Sequence, residues 1–127
     1  MKKMTNELRK LIKQEIDKCT GWTTYYQLAD DKAMYPHITF TLDSISALDS
    51  DIHRFDYELV IDLWNKNDVV TIEEATDKII NLFNCNNLPQ DSILPTFQFE
   101  SRRSVIDEDK QINHRQLVFV VQTYERN

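Results

Sequence analysis

Ten residues in the middle of the chain, FDYELVIDLW at 55–64, restrict the possible folds more than any other stretch. Phe55, Tyr57, Leu59, Ile61 and Leu63 occupy one set of alternate positions, and Asp56, Glu58, Val60, Asp62 and Trp64 the other. A period of two places successive side chains on opposite faces of a strand, so this segment predicts a strand with one apolar face turned to a core. The second face mixes three carboxylates with a valine and an indole. That mixture suits neither a dry core nor a surface whose only neighbour is water.

The other elements follow from the same kind of pattern. Thr5 to Cys19 reads as an amphipathic helix, with Leu8, Leu11, Ile12, Ile16 and Cys19 on one stripe. Gly21, the only glycine in 127 residues, falls where a left-handed helix cap is wanted. WTTYYQL at 22–28 and HITFTLDSI at 37–45 read as strands, the second with Pro36 at its start, where a missing N–H harms a ladder least. A second helix is predicted from TIEEATDKIINLFN at 71–84, with Thr71 as N-cap and Glu74 closing a capping box. NCNNLPQDSILP at 84–95 reads as an irregular connection. TFQFESRRSVI, the acidic turn DEDK and RQLVFVVQTYE then form a long hairpin, whose last strand is apolar on both faces and wants cover on both sides. The expected fold is α+β: one domain over 1–127, an antiparallel sheet of four or five strands, and two helices packed on one face.

Composition narrows the chemistry. With a single glycine, the chain has no phosphate-cradling loop, dinucleotide fingerprint or nucleophile elbow, since each needs several. His37, His53 and His114 lie in separate segments, and Cys19 and Cys85 are too far apart for a zinc motif or a disulfide scaffold. The cysteines are read as free thiols in a reducing compartment. Asp49, Asp51 and His53 lack the spacing of a calcium loop and are read as an acidic loop. Asp56 and Glu58 share a strand face as an acid–base pair would, but no pocket signal accompanies them. The expectation is no cofactor and no catalysis. The longest apolar run, LVFVV at 117–121, is far short of the roughly 20 residues of a membrane helix, and no export signal is visible.

Net charge is −6, divided unevenly: residues 1–20 carry six Lys or Arg against three acids, leaving −9 for the rest. An excess of acid argues against nucleic-acid binding, which starts from attraction to phosphate. The basic first segment is either a solvated helix face or a surface for an acidic partner.

In order and wording these segments resemble the tail-terminator or tail-completion proteins of long-tailed bacteriophages. The resemblance runs from about Leu8 to Glu125. It is carried by YPHITFTLDSI, by HRFDYELVIDLWNKN entering VTIEEATDKIINLF, and by a C-terminal hairpin ending LVFVVQTYE. It implies a small α+β protein forming a ring, usually a hexamer, that caps the head-proximal end of the tail tube and faces the head-tail connector. The partners implied are copies of itself, the tail tube protein and the connector, with DNA only in passage and no membrane. The implied location is the virion neck, with assembly in the host cytoplasm. In such a ring the second face of the 55–64 strand is a subunit interface or a wall of the lumen. Val60 and Trp64 suit the interface. Asp56, Glu58 and Asp62 suit a wet lumen or pairing with Arg102 and Arg103, either a neighbouring subunit's or those of an adjacent strand, and the acidic turn Asp107, Glu108, Asp109 is a further lumen candidate. From a different class, a small cytosolic binding or regulatory domain would use the same open sheet face as its platform.

Overall fold

The computed structural model describes residues 2–45, 54–84, 88 and 92–125. Helix α1, Lys2–Thr20, buries Leu8, Leu11, Ile12 and Ile16 on the stripe expected of it. It ends at Gly21, which has φ +74°, and the Gly21 N–H donates to the Asp17 carbonyl at 2.9 Å. Nothing lies within 4 Å of where a Cβ would stand, so glycine is needed there for its backbone and not for space. Strand β1, Thr23–Tyr26, follows at once, tied back by the Thr24 N–H donating to the Asp17 carboxylate at 2.9 Å.

Strands β2 (His37–Ile45), β3 (Arg54–Lys66), β4 (Ile93–Val105) and β5 (Ile112–Glu125) complete one five-stranded sheet in the order β1-β2-β3-β5-β4. The sheet departs from the expected antiparallel pattern at one place: β1 pairs with β2 in parallel, Thr23 opposite His37 through Tyr26 opposite Phe40. Residues 27–36 are long enough to carry the chain back to the starting end of the sheet, which a tight hairpin cannot do. The Tyr35–Pro36 peptide within that return is cis. The hairpin is also longer than predicted. β4 starts at Ile93 and takes in Pro95, an edge strand being the one place in a sheet where proline is tolerated. A register shift between Phe99 and Ser101 sets Glu100 apart as an extra residue.

Helix α2, Val69–Phe83, starts earlier than predicted, and Thr71 is not its cap. Asp68 holds that place, its carboxylate accepting from the Thr71 N–H at 3.1 Å and the Thr71 hydroxyl at 2.6 Å. Asn67, with φ 64°, turns the chain so that Asp68 is extended at the helix entrance, and a carboxylate is at least as good an acceptor for the first N–H groups as a threonine hydroxyl.

One buried cluster joins these elements. It contains the stripes of both helices, Ile38, Phe40 and Leu42 of β2, Tyr57, Leu59, Ile61 and Leu63 of β3, Ile93 and Phe97 of β4, and Leu117, Phe119 and Val121 of β5. Of the apolar positions predicted for the 55–64 strand, Tyr57, Leu59, Ile61 and Leu63 belong to it, while Phe55 is half-buried against it. Asp49, Asp51, His53 and Cys85 fall outside the described residues.

Candidate functional site

Because the core takes one set of alternate positions, the other set forms a second, continuous face across the strands. Its rows follow from the register: His37–Trp64–His114, Thr39–Asp62–Gln116–Arg103, Thr41–Val60–Val118, Asp43–Glu58–Val120–Gln98 and Ile45–Asp56–Gln122–Thr96. Val60, Val118 and Val120 form a half-buried apolar centre, and among the described residues no helix of the core cluster lies on them. The cover that β5 wants on both faces is therefore supplied on one face only.

The acids predicted for this face divide by their partners. Asp56 accepts two hydrogen bonds from Arg54, Nε to Oδ1 and Nη2 to Oδ2, each at 3.1 Å. Asp62 accepts from His114 Nε2 at 2.8 Å and Gln116 Nε2 at 3.1 Å. Glu58 is exposed, has no partner among the described residues, and stands directly opposite the exposed carboxylate of Asp43. Like charges in directly opposed positions repel. Asp43 was not picked out from the sequence, although its alternate position in HITFTLDSI already placed it on this face.

The proposed pairing of these acids with Arg102 and Arg103 on an adjacent strand does not occur within the chain, because β5 lies between β3 and β4. After the irregularity at Glu100, Arg102 turns to the helix side and pairs with Glu73 and with Asp77, the latter at 2.6 Å. Arg115 joins the same Glu73. Arg103 stays on the second face, exposed and without an ion-pair partner among the described residues.

Partial burial works to raise the Glu73 carboxyl, but the hydrogen bonds and charges of Arg115 and Arg102 outweigh it, so Glu73 lies below its ordinary value. A depressed carboxyl contributes stability that is present above the unfolded value and is lost as pH falls through the folded one. Glu73→Gln is therefore expected to be less stable than wild type at pH 7, with the gap closing below about pH 4. Thermal melts across pH check this; a gap that is unchanged in acid would refute the charge argument.

Trp64, expected to suit an interface, is half-buried and has histidine rings stacked on both of its faces within the chain. It lies between His37, at a ring distance of 5.2 Å and 29°, and His114, at 4.4 Å and 25°. Tyr35 adds to the row at 5.2 Å from His37, and burial lowers the His37 pKa against the opposing effect of the Met34 carbonyl. Asp107 and Asp109 shape the turn between β4 and β5: Asp107 Oδ1 accepts from the Asp109 N–H and Asp109 Oδ1 from the Gln111 N–H, both at 2.9 Å. With Glu108 they lie at the end of the sheet, away from Glu58.

That end also carries exposed apolar side chains. Met34 and Tyr35 precede β2, Val69 and Val70 follow β3, and Ile106, 97% exposed, follows β4. A shallow cavity of about 250 Å³ opens there between Tyr35, Pro36, Asn65, Lys66, Asp68 and Thr71. Ile45, Leu94 and Tyr124 are exposed at the opposite end. Among the described residues no three of His, Cys, Asp or Glu converge as metal ligands, and no helix is long and apolar enough to cross a membrane.

No protein-family model matches the chain, and no curated protein matches it. Solved structures do. A chain from the virion of a native gene transfer agent particle superposes with a TM-score of 0.72 at 14% identity, covering 91% of this chain and 92% of that one. A second solved chain superposes with a TM-score of 0.66 at 6% identity, covering 98% and 94%. The two-helix, five-stranded α+β fold is thus shared, nearly end to end, with a chain of a virion particle.

Proposed function

We propose that the protein is a structural component of a phage or prophage particle, a non-enzymatic ring that caps the head-proximal end of the tail tube and joins it to the head-tail connector. The observation that carries this reading is the near-complete overlap of fold with a chain of a gene transfer agent virion. The tail-terminator resemblance of the sequence gives it the neck position. The surface supports it independently. Exposed apolar side chains at both ends of the sheet are what a ring held between two axial partners needs, the tube on one side and the connector on the other. The second sheet face, with an apolar centre and carboxylates, is available to a neighbouring copy or to a lumen. Its place of action is the virion neck, after assembly in the host cytoplasm.

Sedimentation at rising concentration, alone and with a tail tube protein from the same phage or prophage, tests the proposal. A closed oligomer, hexameric if the resemblance holds, is expected in at least the second condition, and electron microscopy should place it at one end of the tubes. A monomer throughout, with bare tube ends, would sink the reading.

A further inference from the structure

The two sides of the sheet each leave a length of edge uncovered. β1 and the Gln27 N–H, which donates to the Phe40 carbonyl at 2.8 Å, occupy the outer edge of β2 only from His37 to Phe40. From Thr41 to Ile45 no strand lies beside β2 among the described residues. On the far side β4 is the last strand. Its beginning is met by Leu88, whose N–H donates to the Pro95 carbonyl at 3.3 Å. From Gln98 to Val105 its outer side has no backbone partner among the described residues. Uncovered edges are templates for another strand unless something blunts them.

These two edges are complementary in charge. Asp43 projects from the first and Arg103 from the second, both exposed, both on the helix-free face, and neither with an ion-pair partner among the described residues. Asp43 faces only Glu58 across its own ladder, an arrangement that a cation from outside would relieve. Strand direction is also compatible. β2, β3, β5 and β4 alternate, so β4 runs opposite to β2. A copy related by rotation about an axis along the strands presents its β4 beside β2 with that alternation intact and with the same face inward.

We infer that β4 of one copy adds antiparallel to Thr41–Ile45 of the next, main chain to main chain, with the partner subunit's Arg103 set against Asp43. The five-residue segment gives a contact about 16 Å long. Because the two edges are unlike, the contact is heterologous and repeats until the ring closes. β1 blocks the first half of β2, so the incoming strand is displaced toward Ile45. Stagger of that kind is a requirement of a closed barrel. The inference rests on the ring reading and adds to it which surfaces meet.

The test combines hydrogen exchange with a charge swap. In wild type above its assembly concentration, or assembled with tube protein, amides in 41–45 and 98–105 are expected to gain protection while those of β5 hardly change. Asp43→Arg and Arg103→Asp singly are expected to weaken association about tenfold, and the double variant to recover most of the loss. Both positions are exposed, so neither variant should melt below wild type, and Asp43→Arg, which sets an opposite charge against Glu58, should melt slightly above it. An oligomer with unchanged exchange at both edges, or a double variant no better than either single one, overturns the edge contact and leaves the ring intact. A monomer under every condition overturns both.

Discussion

Phe119→Ala is expected to lower the unfolding free energy by about 3 to 5 kcal/mol, the usual cost of emptying a large aromatic site in a packed core. For a domain of this length the whole stability is about 6 to 19 kcal/mol, so one side chain accounts for a large part of it. Phe119 is fully buried and joins three elements. Phe83 of α2 meets it edge-on at 5.7 Å and 71°, and Phe99 of β4 at 5.7 Å and 69°. Phe83 in turn lies 4.5 Å from Phe97. The cavity left by alanine is walled by rigid rings on β4 and α2, which leaves little room for collapse. In urea the midpoint should fall by about 2 M at an unchanged slope. A fall of less than about 0.5 M would mean that the ring cluster is not packed as described.

If the protein assembles as the proposed ring, Glu58→Lys is expected to turn a ring that ignores DNA into one that holds it. If the helix-free face lines the lumen, carboxylates there repel phosphates within about one Debye length, near 8 Å at physiological salt. Reversing Glu58 in every copy of a six-membered ring would place roughly six cations along the DNA path, so retention should weaken about a thousandfold between 50 and 200 mM salt. Glu58 is the right probe because it is exposed and has no partner among the described residues. A lysine there would face Asp43 as an opposite charge. Reversing Asp56 or Asp62 as well would confound the result, since those acids hold Arg54, His114 and Gln116. Rings that form normally and still release DNA at low salt would remove Glu58 from the lumen wall.

The alternation in residues 55–64 already named the buried face of β3, and the spacing in 5–19 named the buried stripe of α1. Both follow from local geometry, because a strand or helix repeats its facing direction at a fixed period whatever it packs against. Gly21 was legible for a similar reason: a left-handed cap concerns one residue's own backbone. The α2 cap was misplaced by three residues. Asp68 and Thr71 are both good caps in isolation, and only the left-handed turn at Asn67 determines which one stands at the helix entrance.

What sequence alone determined, then, is the set of elements, their apolar faces, and the charge that an open face would carry. Pairing was decided by the tertiary structure. No local pattern says that β5 inserts between β3 and β4, and that insertion keeps Arg102 and Arg103 away from the β3 acids. Nor does alternation reveal that the extra residue at Glu100 sends Arg102 toward α2 while Arg103 remains on the open face. The parallel placement of β1, which leaves half of β2 uncovered, is of the same kind. Side-chain direction is a property of a few consecutive residues, whereas strand order and register are set by which distant segments jointly close one core, and the availability of Asp43, Glu58 and Arg103 to a partner follows from that closure.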